Sequence, residues 1–174
     1  MGRKLAEMIL AGNSRFNTDL VASYIGADEE RFGELIDLMH DSKPPIPQRA
    51  AWIMTTVTDK YPWLIQPYLK KFIKNLPNYT HPGLIRSVLR QFCQIEFPPN
   101  LKGEIFELSY NFLLDTKQPV AIRVFAMQIL YNISATEPDL KNEVKLVLES
   151  LYDDFASAGI SSRAGRLLKK LNPY

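Results

Sequence analysis

At 174 residues, with 46% hydrophobic and 23% charged side chains, the chain has room for one domain and enough apolar material to bury a core without disulfide or metal staples. The formal charge of +2 provides no global field for nucleic acid or acidic lipid, and the supply of aromatic and aliphatic residues excludes disorder. Cys93 is the single cysteine, so it forms no internal disulfide and reads as a small buried hydrophobe. The opening Met1-Gly2-Arg3-Lys4-Leu5-Ala6 is too short in apolar residues for a signal peptide, and Ala6 stands where a myristoylation signal has Ser or Thr. No window approaches the roughly 18 consecutive apolar residues of a membrane span. The expectation is a cytoplasmic protein without membrane contact. Asn78-Tyr79-Thr80 and Asn132-Ile133-Ser134 then match the glycosylation pattern by chance.

Apolar spacing predicts helices over 2–11 and 14–25, then over 28–41, which opens on Asp28-Glu29-Glu30 where carboxylates favour the helix dipole. That third helix carries Phe32, Leu35, Ile36 and Met39 as its stripe. Helix 46–60 opens at a proline and buries Trp52, Ile53 and Val57. Helix 62–76 repeats at three and four residues through Leu64, Ile65, Tyr68, Leu69, Phe72, Ile73 and Leu76, with Pro67 placed to bend or delay its start. Helix 82–96 carries Val88, Leu89, Phe92 and Ile95, and helix 99–115 carries Leu101, Ile105, Phe106, Leu108, Phe112 and Leu113. Helix 119–134 is apolar on most sides, through Val124, Phe125, Met127, Ile129, Leu130 and Ile133. Helix 138–156 has Leu140, Val144, Val147, Leu148, Leu151, Tyr152 and Phe155, and a basic helix 160–171 follows.

These helices fall into a repeat. Pro45, Pro82 and Pro119 each precede an arginine by four residues, namely Arg49, Arg86 and Arg123, which are spaced 37 and 37 apart. Arg163 follows after 40 more, and a weak first copy begins at Arg15, 34 residues before Arg49. Asp41, Asn78 and Asp115 stand eight residues before the arginines, and Asp28, Pro62, Pro99 and Thr136 stand thirteen after. Columns that keep register together mark a two-helix unit, with degenerate terminal copies. The fold class expected is all-α: a right-handed α-α superhelix of four to five helix pairs, forming one domain over 1–174.

A two-helix unit of 37 to 40 residues opened by proline resembles HEAT repeats, and Val120-Ala121-Ile122-Arg123-Val124-Phe125-Ala126-Met127-Gln128-Ile129-Leu130 is similar to their short variant. The whole chain also resembles a group of small bacterial all-helical proteins of unassigned function, through Ala50-Ala51-Trp52, the Tyr68-Leu69 helix and the helix from Arg163 to Lys170. Some members of that group are labelled adenylosuccinate lyase. That enzyme class is far longer and uses a serine-containing signature loop and several histidines, neither of which this chain has. The resemblance implies a non-catalytic scaffold for an unidentified protein or peptide, bound on a concave face lined by the second helix of each pair.

Candidate chemistry is sparse. His40 and His81 have no His or Cys at metal-ligand spacing, no His-Glu pair occurs, and no phosphate loop or serine elbow is present, so neither cofactor nor metal is expected. Asp153-Asp154 reads as a solvated helix end. Arg49, Arg86, Arg123 and Arg163 form the most regular charged column, read as ties between repeats to Asp41, Asn78, Asp115 or orphan helix-end carbonyls. On the second helices the outward residues are Glu30, Glu34 and Asp37; Trp63, Gln66, Lys70 and Lys74; Lys102, Glu107, Tyr110 and Asn111; and Lys141, Lys145 and Glu149. Trp63, Lys70, Lys74 and Tyr110 make an aromatic-basic patch suited to a peptide. The rival is a nucleic-acid-binding or base-excision protein of HEAT-like fold, for which Trp52, Trp63, Asp59 and Arg90 are the available counterparts. The C-terminal Arg163, Arg166, Lys169 and Lys170 suggest an oligomerising helix or a complement to the helix dipole.

Overall fold

Helix starts follow local chemistry. Ser14 accepts a hydrogen bond from the Asn17 N–H at 3.1 Å and Asp28 one from the Arg31 N–H at 3.0 Å, which satisfies donors that have no intrahelical partner. Prolines open other segments at positions whose N–H is surplus. A computed structural model describes residues 2–153 and 157–171. Among these, every regular element is helical: ten α-helices, with short 3-10 segments between some of them. Asp154 and Phe155, at the end of the helix expected over 138–156, lie outside the described residues.

The chain separates into two compact units, Met1–Gln91 and Phe92–Tyr174. The first holds α1 (Gly2–Leu10), α2 (Arg15–Ile25), α3 (Glu29–Asp41), α4 (Ile46–Thr58) and α5 (Leu69–Asn75), with all but the last residue of α6 (Pro82–Phe92). In this unit α4 packs against α2, α3 and α1. It buries Pro47, Ala50, Ala51, Ile53, Met54, Thr55, Val57 and Thr58, which at about 100° per residue cover roughly 200° of its surface. By contrast α3 buries one stripe, Phe32, Leu35, Ile36 and Met39.

The second unit holds α7 (Pro99–Leu114), α8 (Val120–Thr136), α9 (Lys141–Asp153) and α10 (Ala158–Leu171). Here α8 packs against α7, α9 and α10, and α9 packs against α10. Buried Met127 and Leu130 of α8, Val144 and Leu148 of α9, and Ala164 and Leu167 of α10 share one core with Leu113 of α7.

Two elements depart most from the predicted bounds, beside smaller shifts such as the 3-10 turn Pro138–Leu140, which delays to Lys141 the helix expected from 138. Pro62–Tyr68 is a 3-10 helix, and the α-helix of that segment starts only at Leu69. Pro67 has no N–H to return to the Trp63 carbonyl, and its ring crowds that carbonyl, so the segment closes three-residue bonds such as Leu69 N–H to Gln66 O. Helix α6 ends at Phe92 rather than 96. Asn132 Nδ2 donates to the Cys93 carbonyl at 2.8 Å and satisfies an acceptor at that helix end.

Candidate functional site

Trp63, Lys70 and Lys74 lie in the first unit and Tyr110 in the second. Trp63 is 52% exposed, although its ring meets Tyr61 edge-on at 5.5 Å. Lys70 and Lys74 stand one turn apart on α5, both exposed and without an ion pair among the described residues. Lys71 between them is committed, with Nζ 2.8 Å from Asp37 Oδ1 on α3. Tyr110 is half-buried on α7, stacked on Phe106 at 6.2 Å and packed against the core of its unit.

The arginine column occupies four different environments. Arg49 Nη1 donates to the carbonyls of Ile9, Leu10 and Gly12 at 3.1, 3.1 and 3.2 Å, closing the C-terminus of α1. Arg123 Nε donates to the Leu113 carbonyl at 2.8 Å, at the end of α7. Arg163 Nη2 donates to Gln128 Oε1 at 2.6 Å. Arg86 is exposed and makes no hydrogen bond among the described residues. The carboxylates expected nearby accept no hydrogen bond from these arginines among the described residues, although the Arg123 charge is one of those that favour the ionised Asp115. Asp41 is exposed, and Asp115 accepts from Gln118 Nε2 and the Lys117 N–H, both at 3.0 Å. Those bonds, Gln118 first, hold the Asp115 carboxyl below its usual range.

Sequence spacing did not reveal a polar pair in the first unit. His40 lies among aromatic rings, with Phe72 at 5.4 Å and Tyr79 at 5.9 Å between centroids. Its Nδ1 is 2.7 Å from the Ile36 carbonyl and its Nε2 is 2.7 Å from Tyr79 Oη. A carbonyl only accepts, so Nδ1 carries the proton and the Nε2 lone pair accepts from the tyrosine. Burial disfavours charging both groups, pushing His40 down and Tyr79 up. The Ile36 carbonyl opposes the shift on His40; Lys71 reinforces it, and Asp41 and Asp37 weakly oppose it.

In the second unit a cleft of about 250 Å³ lies between the segment 92–97, α7 and α8. Phe92, Ile95, Phe97 and Ile129 give it apolar walls, with Asn132 and Lys102 at polar points. A relay runs from Arg163 through Gln128 to Asn132 and the Cys93 carbonyl, with a 2.6 Å bond from Gln128 Nε2 to Asn132 Oδ1. Lys102 Nζ is spent on Glu137 at 2.6 Å. Cys93 Sγ donates to the Phe125 carbonyl at 3.4 Å. Of the residues set aside for a nucleic-acid reading, Arg90 Nη2 pairs with Asp59 Oδ2 at 3.0 Å, and Trp52 is 36% exposed. No group of three or more metal-ligating side chains gathers among the described residues.

Stacked helix pairs with no strand among the described residues, opened by a recurring proline and arginine, define a helical-repeat protein. A family described as a HEAT repeat domain matches residues 6–171, and the chain belongs to that family. No curated protein and no solved structure matches the chain.

Unequal environments predict unequal losses along the arginine column. Arg49→Ala is expected to cost about 1.5–3 kcal/mol for charged hydrogen bonds lost, whereas Arg86→Ala should stay within about 0.5 kcal/mol. Thermal melts of the two variants decide; equal shifts would refute the carbonyl-closing role of Arg49. The second expectation concerns pH. His40 is held below its ordinary value of 6.5, so the folded state resists protonation: the stability is present above that value and is lost as pH falls through it toward the lowered one. Urea midpoints should therefore fall from about pH 7.5 to about pH 5, and fall less in His40→Gln. The same fall in both proteins would remove His40 from the account.

Proposed function

We propose that the chain works over 1–174 as one non-catalytic protein-binding scaffold, with docking carried by the outward faces of the second helices. The observation that carries this reading is the surface of the 3-10 segment and α5: a tryptophan 52% exposed, followed by Lys70 and Lys74 with no intramolecular ion pair among the described residues. Exposed tryptophan costs solvation in a free protein and supplies large binding energy when a partner covers it, and cations beside it add orientation. HEAT repeats generally serve as protein-interaction scaffolds, which supports the class of function. Tyr110 is the counterpart we assign to the second unit. The bound chemistry that suits Trp63 with Lys70 and Lys74 is a protein segment with an apolar residue near carboxylates.

The test is a pull-down from lysate with the full chain and with Lys70→Glu/Lys74→Glu. The expected result is a partner protein retained by the former and lost by the latter. Recovery of nucleic acid that disappears with added salt would replace this reading with a phosphate-binding one.

A further inference from the structure

Helix α10 carries a surface that neither the repeat pattern nor α5 accounts for. Its buried stripe is Ile160, Ala164, Leu167 and Leu171, and its outward stripe is Ser162, Arg166, Lys169 and Lys170. No carboxylate occurs anywhere in the helix, and Arg166, Lys169 and Lys170 are exposed without an ion pair among the described residues. A helix dipole explains cations in the last turn, but Arg166 stands mid-helix.

Beside that stripe runs a groove of about 420 Å³ between α9 and α10, lined by Tyr152, Ser162, Gly165, Arg166, Leu168 and Lys169. Its wall is set by a glycine. A Cβ at Gly165 would fall 2.7 Å from Tyr152 Cε2 and 3.0 Å from Cδ2, so the tyrosine ring lies directly against the helix backbone. Glycine in a helix interior costs about 1 kcal/mol relative to alanine, and here it admits the ring. Ser161 Oγ donates to the Tyr152 carbonyl at 2.9 Å and fixes the end of α9 to α10. Tyr152 as a residue remains 50% exposed. Tyr152 and Leu168 thus form an apolar wall and floor, and Arg166 and Lys169 form a cationic rim. Asp153, the last described residue of α9, does not line the groove.

We propose that this groove docks an acidic peptide segment, with one apolar side chain against Tyr152 and Leu168 and flanking carboxylates on Arg166 and Lys169. Charge complementarity selects the acid, because the rim has cations and no counter-charge among the described residues. The leucine floor favours a peptide over a nucleic acid, whose bases can stack on a tyrosine but gain little from Leu168. The cations span only one to two helical turns, too short a track for a phosphate backbone. A membrane surface is disfavoured because Leu168 is half-buried and packed against the core of its unit.

The experiment is fluorescence anisotropy with a labelled peptide of glutamates around a central leucine. Its comparators are the same peptide with a central serine, a lysine version, a single-stranded oligonucleotide and anionic vesicles. The expected result is saturable binding of the glutamate-leucine peptide, weakened about tenfold or more by Arg166→Glu/Lys169→Glu. The milder Arg166→Gln/Lys169→Gln pair should show the same direction in a protein whose circular dichroism is unchanged. Tyr152→Ala should remove the preference for leucine over serine. In a Lys70→Glu/Lys74→Glu background, where the α5 surface no longer takes such a segment, the peptide should still bind and the α10 substitutions should still weaken it, which separates the α10 groove from the α5 surface. Absence of binding, binding indifferent to the α10 substitutions, loss through the α5 variant instead, or tighter capture of the oligonucleotide or vesicles would each overturn the proposal.

Discussion

Helices α4 and α8 bury side chains over too wide an arc for one neighbouring helix to cover, and that constraint organises both units. On α8 the buried set runs from Ile122 through Ala126, Met127, Ile129, Leu130 and Ile133 to Ser134, roughly 160° of the helix surface at about 100° per residue. A single antiparallel partner covers a narrower stripe. So α8 takes α7 on one side and α9 and α10 on others, while α4 takes α2, α3 and α1. The partners are one-sided helices, such as α7 with Leu101, Ile105, Ser109 and Leu113 at every fourth position. Covering a broadly apolar helix with singly striped ones leaves each partner a polar outer face. On α10 that face carries cations without an ion pair among the described residues, and the half-exposed Tyr152 stands beside it near the end of α9.

Much of this was legible as spacing. The order of helices, the proline starts and the apolar stripes follow from rules that act within a few residues, and they place the element bounds well. What spacing cannot carry is the identity of a partner far along the chain. The arginine column looked uniform, yet Arg49 reaches three carbonyls at the end of α1, Arg123 one at the end of α7, Arg163 a glutamine, and Arg86 faces solvent. Register fixes where an arginine leaves its helix; the local turn fixes whether a helix end waits there. The His40–Tyr79 pair, 39 residues apart, was likewise invisible. A proline-delayed start to helix 62–76 was readable from Pro67, but the full extent of the 3-10 segment was not.

The candidate surface shows the same division. Outward positions on α5 were readable because the stripe of Leu69, Phe72 and Ile73 fixes which side faces solvent. Tyr110 was placed in the same patch because it too falls outside its helix's stripe, but its ring stacks on Phe106 and settles against the core. A large side chain beside a stripe has enough reach to fold back onto it, so helical position alone does not decide its exposure. Gly165 carried a signal that was overlooked: a glycine within a periodic helix marks a close approach, and its neighbour is the Tyr152 ring.

Membership of the HEAT repeat family accounts for the stacked pairs, and the breadth of α4 and α8 accounts for how each unit holds together. Hydrogen–deuterium exchange on the full chain tests that most directly, because slow exchange reports the opening free energy of each helix. The account predicts that α4 and α8 are the slowest segments of their units, with 62–68 and α10 opening well before them. Exchange in α8 as fast as in α10, or in α4 as fast as in the 3-10 segment, would contradict it.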